Sequence, residues 1–175
     1  MFLFSSAFAT VAGGESMTEQ EWFACTAPYL MLDALKGTPW WDEGKMRRFA
    51  CWCARQVWDF LLDQRSRTAV EVAERFADVL ATTEELAAAE NAAAVAHFEA
   101  CEAGEEWATA EAAGAAAATV ARDAIDAAKG AAAGQAAAMA SLTAAEKAEP
   151  SGAAAELAQA DKLREMFGNP FGCAH

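Results

Sequence analysis

The stretch GKMRRFACWCARQVWDFLL, residues 44–62, decides the fold. Within it Met46, Phe49, Ala50, Cys53, Val57, Phe60 and Leu61 recur at spacings of three and four, the period of one face of an α-helix. The spacing predicts a single helix over 42–62. At 100° per residue, Cys51, Trp58 and Leu62 form a second apolar strip, flanked by Arg48 and Arg55 and then by Trp52. A helix that is apolar on nearly two sides belongs at the centre of a bundle.

Shorter helices flank it. Thr18 with Glu21 three residues on matches a capping box, followed by Trp22 and Phe23, which predicts a short helix to about Cys25. Thr26 and Pro28 start a second helix with Leu30, Met31, Ala34 and Leu35 on one side, ended by Gly37. Ser66 or Asp63 opens a fourth, with Val72, Phe76, Val79 and Leu80 facing inward and Arg67/Glu71 and Glu71/Arg75 as outer ion pairs.

Composition breaks near Thr82. Five of the six tryptophans and most arginines precede it, and alanine dominates from there to about residue 160. Thr82 and Glu85 form another capping box, so a helix starts at once. As one straight rod, residues 83–148 would span roughly 100 Å at 1.5 Å per residue. A turn is therefore expected at Gly104, Gly114, Gly130 or Gly134. A turn near Gly130 folds the arm into an antiparallel, coiled-coil-like hairpin, registered by Leu86, Val95, Phe98, Trp107, Val120, Ile125, Met139 and Leu142. Pro150 ends this section, and Ser151 caps a last helix through Leu157 and Leu163 to Phe167, stopped by Gly168.

The fold class is thus all-α: a helical cassette over 17–81, an acidic alanine-rich arm over 82–149, and a final helix with its tail over 150–175. Residues 1–16 form an N-terminal extension without helical pattern. It is apolar and includes Ala7-Phe8-Ala9, similar to a signal-peptidase site, but has no Lys or Arg ahead of the apolar stretch. The expected natural start is Met17, immediately before the first capping box.

Net charge is −13 over 175 residues, with eight basic and eleven acidic residues up to Leu80 and five against fifteen beyond it. So acidic an arm repels phosphate backbones, and nucleic acid is not an expected partner. Charges interrupt every apolar run of the arm, so no membrane span is expected. Five cysteines, at 25, 51, 53, 101 and 173, form no regular disulfide framework, as in a protein of the reducing cytoplasm.

Three clusters could carry chemistry. Cys51 and Cys53 point about 200° apart on a helix and cannot grip one ion, so both are expected to be small buried hydrophobes. His97 and Cys101 lie four apart on one helical face with Glu102 near in sequence, a geometry open to a metal or a thiol–imidazole pair. Arg47, Arg48 and Arg55 with Trp52 and Trp58 could present a cation–π surface to an acidic or aromatic partner, or could pair internally with Asp59, Asp63 or the acidic arm. No Gly-rich phosphate loop, nucleophile elbow or HExxH motif occurs.

The segments MTEQEWFAC, GKMRRFACWCARQVWDFLLDQRSRTAVEVAERFADVLATTEELAAA and ADKLREMFGNPF together resemble an uncharacterised alanine-rich bacterial family. Its members share the Met-Thr-x-x-x-Trp opening and the Cys- and Arg-rich helix, and vary the arm's length before Phe-Gly-Asn-Pro-Phe. The resemblance spans 17–171 and implies Met17 as the start. It also implies that members commonly continue past Phe171, and an activity carried by such a C-terminal domain would be missing from this chain. It brings no catalytic residues.

These readings lead to one functional expectation: a non-enzymatic interaction or scaffold module without cofactor, whose partner surface is Arg48, Trp52, Arg55 and Trp58 and whose partner is another protein. The alternative is a thiol- or metal-dependent enzyme, or a metal-binding protein, using His97 and Cys101 or the cassette cysteines. The second apolar strip is expected to be covered by an alanine-rich helix bearing Phe98 or Trp107, or by the final helix with Leu163 and Phe167.

Overall fold

A computed structural model describes residues 17–36, 38–104, 132 and 151–171. Among them the chain is all-α, with helices α1 (Glu19–Ala24), α2 (Pro28–Leu35), α3 (Glu43–Gln56), α4 (Gln64–Ala77), α5 (Thr83–Ala103) and α6 (Ser151–Phe167), and a 3₁₀ turn at Trp58–Phe60. The helical hairpin expected across residues 105–150, with its anchors from Trp107 to Leu142 and its turn near Gly130, lies outside the described residues, as does the extension over 1–16.

Local chemistry sets several helix ends. Both expected capping boxes form: Thr18 with Glu21 starts α1, and Thr82 with Glu85 starts α5. Each box satisfies two backbone donors that a helix N-terminus would otherwise leave open. Asp42 and Asp63 cap α3 and α4 by accepting from Lys45 N and Arg65 N. Ala27 at the start of α2 makes no side-chain cap, so Thr26 does not act there, and Pro28 opens that helix instead. Gly104 and Gly168 take positive φ, of 68° and 63°, where α5 and α6 stop.

α3 is central. Met46, Phe49, Ala50, Cys53, Ala54 and Val57 are fully buried there, and α4 packs along one side of α3 while α6 covers another and in turn packs on α2. α5 lies on α4, burying Leu86, Ala89, Ala93, Ala96 and Ala100. Alanine at those positions lets the helix axes come close, while Leu86 supplies the large apolar contact. Of the second strip of α3, Cys51 is buried beneath α4 with its Sγ against the Val70 carbonyl, Trp58 is half-buried and Leu62 is 54% exposed; Phe98 on α5, one of the expected covers, is 62% exposed, and Trp107 lies outside the described residues. α6 does dock on the bundle through Leu163 and Phe167, on the side carrying Lys45 and Trp52.

Three further expectations are corrected. α3 ends at Gln56, so Leu61 is buried while Phe60 and Leu62 are 37% and 54% exposed. α4 ends at Ala77, leaving Val79 and Leu80 at 90% and 69% exposure instead of facing inward. On α2 the buried face is Pro28, Met31, Leu32 and Leu35, with Leu30 only half-buried.

The α4 terminus is a Schellman motif. Leu80 N–H donates to the Arg75 carbonyl at 2.7 Å and Val79 N–H to the Phe76 carbonyl at 3.0 Å. The residue between them sits left-handed, at φ 61°, where glycine is usual; here it is Val79.

The two ends of the described chain clasp each other. Trp22 is fully buried, and its Nε1–H donates to the Gly168 carbonyl at 2.9 Å. The Phe171 ring meets it edge-on at 5.6 Å, Arg164 donates to the carbonyls of Trp22 and Cys25, and Asn169 Nδ2 donates to Glu19 Oε1 at 2.6 Å. Burying an indole with its N–H satisfied combines a large apolar area with no orphaned donor.

Candidate functional site

α3 and α4 run antiparallel, and between them lies an open groove of about 410 Å³ lined by Arg48, Cys51, Trp52, Arg55, Glu74 and Asp78. Three of the four residues expected on the partner surface line it. The fourth, Trp58, abuts it: the Arg55 guanidinium lies 3.9 Å above its ring, and Arg67 sits 5.5 Å from the same ring. Trp52, half-buried, stacks on Phe49 at 6.2 Å between ring centroids. The groove therefore has a rigid aromatic floor.

Its walls are ionic. At one end Arg48 donates from Nε and Nη2 to Asp78 Oδ1, at 3.3 and 2.8 Å, and from Nη2 to the Ala77 carbonyl at 3.2 Å. At the other, Arg55 grips Glu74 with both Nε (2.8 Å) and Nη2 (2.6 Å), a fork-on-carboxylate geometry. That hydrogen bond raises the Arg55 pKa above its usual value. All four side chains keep a third or more of their surface in water, so each pair contributes only about 0–1 kcal/mol.

For Arg48 and Arg55 the partners differ from those expected, whereas Arg47 does interact with Glu90 of the acidic arm. Arg48 and Arg55 pair with acids of α4, not with Asp59, Asp63 or the acidic arm. Arg47 turns away from the groove, is nearly buried and lies 5.4 Å from the Phe76 ring; burial lowers its pKa. Further ties to α5 are made by Arg65, which bridges Asp63 and Glu99, and by Arg75 with Glu85 at 3.7 Å. Arg67 does not join Glu71: its Nε donates to the Leu61 carbonyl at 2.6 Å. The sequence reading missed the acidic wall. Its signal was the i, i+4 spacing of Glu74 and Asp78, which places both on one face of α4.

Cys51 and Cys53 are buried free thiols pointing to different sides of α3. Burial pushes the Cys51 pKa up to about 12 and raises that of Cys53 as well, so neither is a thiolate nucleophile near neutral pH. His97 and Cys101 do lie together on α5, with Sγ 3.7 Å from Nδ1 and 3.8 Å from Nε2. Among the described residues no group of three His, Cys, Asp or Glu side chains converges on a point that could hold a metal ion, and no helix is long and apolar enough to cross a membrane. Comparisons of the chain with protein families, with characterised proteins and with solved structures find no match.

Proposed function

We propose that the chain is a non-enzymatic interaction module that binds another protein through the α3/α4 groove, without a cofactor. The observation that carries this reading is the groove itself, which combines a half-buried tryptophan floor with an exposed Arg48 and a half-buried Arg55, neither of whose Nη1 groups is hydrogen-bonded among the described residues. Tryptophan and arginine are the side chains that most often concentrate binding energy at protein interfaces. Free cysteines at 25, 51, 53 and 101 fit a reducing compartment, and we place the module in the cytoplasm.

The test is selection of a random peptide library on the full chain, with counter-selection on the Trp52→Ser variant. Peptides that bind the wild type and lose at least tenfold in affinity on Trp52→Ser or Arg55→Ala support the groove. A library yielding only binders indifferent to both substitutions refutes it.

The thiol–imidazole contact of His97 and Cys101 supports a second reading, thiol- or metal-dependent chemistry on the α5 surface. Metal analysis of the purified protein with thiol titration decides it. Stoichiometric zinc lost on Cys101→Ala would favour it over the groove.

A further inference from the structure

We infer that the occupant of the groove is a second copy of this chain, docked about a two-fold axis that runs along the groove. This rests on the reading of the groove as an interaction face. The argument is one of symmetry. Along the groove, α3 supplies a basic strip, Arg48 and Arg55, and α4 an acidic strip, Asp78 and Glu74. The strips are in register, because Arg48 meets Asp78 at one end and Arg55 meets Glu74 at the other, the two arginines being about 10 Å apart at 1.5 Å per residue.

A half-turn about an axis lying along the groove exchanges the two strips and leaves each end in place. It sets Arg48 of one copy over Asp78 of the second and Arg55 over Glu74 of the second, and the same contacts recur in reverse, as an isologous interface requires. An axis lying across the groove would instead lay arginine on arginine and carboxylate on carboxylate. Only the first orientation opposes unlike charges throughout.

Hydrogen-bonding capacity for these contacts is present. Arg48 and Arg55 each use Nε and Nη2 within the fold and keep Nη1, and Asp78 accepts on Oδ1 and keeps Oδ2. Along the chain, apolar residues follow the charged ones of the groove. Phe60 and Leu62 follow the Arg55 end of α3, and Val79 and Leu80 follow Asp78; all four are exposed. The half-turn carries each of these segments to the opposite side of the groove on the second copy, where docking would shield them from water. The net charge of −13 on each copy opposes approach, but at physiological ionic strength charges farther apart than about 8 Å are screened. Contacts inside the groove therefore decide the outcome.

Sedimentation velocity of the full chain over a broad micromolar range tests this. The expected result is a concentration-dependent shift from monomer to dimer. Arg55→Glu alone and Glu74→Arg alone each set like charges across the axis and are expected to weaken association at least tenfold. An equimolar mixture of the two variants restores unlike charges at every contact and is expected to return within about threefold of the wild type. Circular dichroism shows whether each variant is folded. If either is not, Leu62→Asp, at an exposed position outside the helices, replaces it with the same expected loss.

A wild-type chain monomeric at every concentration overturns the inference. So does a dimer untouched by the swaps, or a mixture that stays monomeric. A monomeric wild type that still selects groove-dependent peptides removes the second copy and leaves the interaction face standing. Failure of both experiments removes both.

Discussion

Val79→Gly is expected to stabilise this protein. Val79 holds a left-handed backbone at φ 61°, a conformation that costs an L-residue about 1–2 kcal/mol and is especially unfavourable for a β-branched side chain. Its side chain is almost wholly in water, so removing it forfeits next to no packing. The motif's two hydrogen bonds, Leu80 N–H to Arg75 and Val79 N–H to Phe76, involve only backbone and survive the change. Against the gain stands the extra freedom of glycine in the unfolded chain, about 0.5–1 kcal/mol. The net is a stabilisation of roughly 1 kcal/mol, equivalent to about 2–4 °C in Tm for a chain of this size. Thermal and urea unfolding followed by far-ultraviolet circular dichroism read it out. Val79→Ala serves as the control: it removes the branching but keeps the Cβ, and its gain is expected to be smaller than that of Val79→Gly. A fall in Tm on Val79→Gly would refute the assignment of backbone strain and show that the exposed valine is held by contacts elsewhere.

Further outcomes follow from the core and the clasp. Because the buried thiols ionise less readily folded than unfolded, the unfolded chain loses its thiol protons first, and stability falls as pH rises from 9.0 toward about 12. Urea midpoints should show that loss, at most about 1.4 kcal/mol per pH unit for each thiol, and it should shrink in the Cys51→Ala/Cys53→Ala double variant. Singly, each of these substitutions should cost about 1 kcal/mol, more at Cys53, with 5,5′-dithiobis(2-nitrobenzoic acid) leaving both thiols unmodified until the protein unfolds. Trp22→Phe removes the donor to Gly168 and part of a fully buried ring, and should cost about 2 kcal/mol by urea unfolding. An isolated 17–81 fragment loses the cover that α6 gives α2 and α3, so it should show red-shifted tryptophan emission and no cooperative transition; a blue-shifted, equally stable fragment would contradict that packing.

What could be read from the sequence was what neighbouring residues decide among themselves. The capping boxes at Thr18 and Thr82 and the stripe from Met46 to Val57 depend on spacings within a few turns, and the structure contains them. The end of α3 depends on a distant residue. Trp58 to Leu62 continues the helical period, yet Arg67, from the next helix, takes the Leu61 carbonyl and lies over the Trp58 ring, which draws the chain into a 3₁₀ turn. Val79 was misread for a related reason: its spacing fits the inner face of α4, but the Schellman bonds close the helix before it. At the groove, the basic wall was visible as a cluster along one helix. The acidic wall arises only when α4 is laid against α3, because Glu74 and Asp78 stand 19 and 30 positions from the arginines they meet.

The clasp makes the connection between α5 and α6 a permissive site. With Trp22 and Phe171 held together, the bundle is closed by residues at its own two extremities, and residues 105–150 join two helices that are already docked on it. Chain added between two ends that are already held costs only loop-closure entropy, about 0.6 kcal/mol for each doubling of length. Ala132, whose carbonyl accepts from Gln159 Nε2 at 2.9 Å, marks one point where that stretch is tied to α6 and where an insertion would cost more. The same closure suits circular permutation: residues 17 and 171 joined by a short linker, with new ends opened in the alanine-rich stretch away from Ala132, would retain every contact of the clasp and turn its non-local hydrogen bonds into local ones.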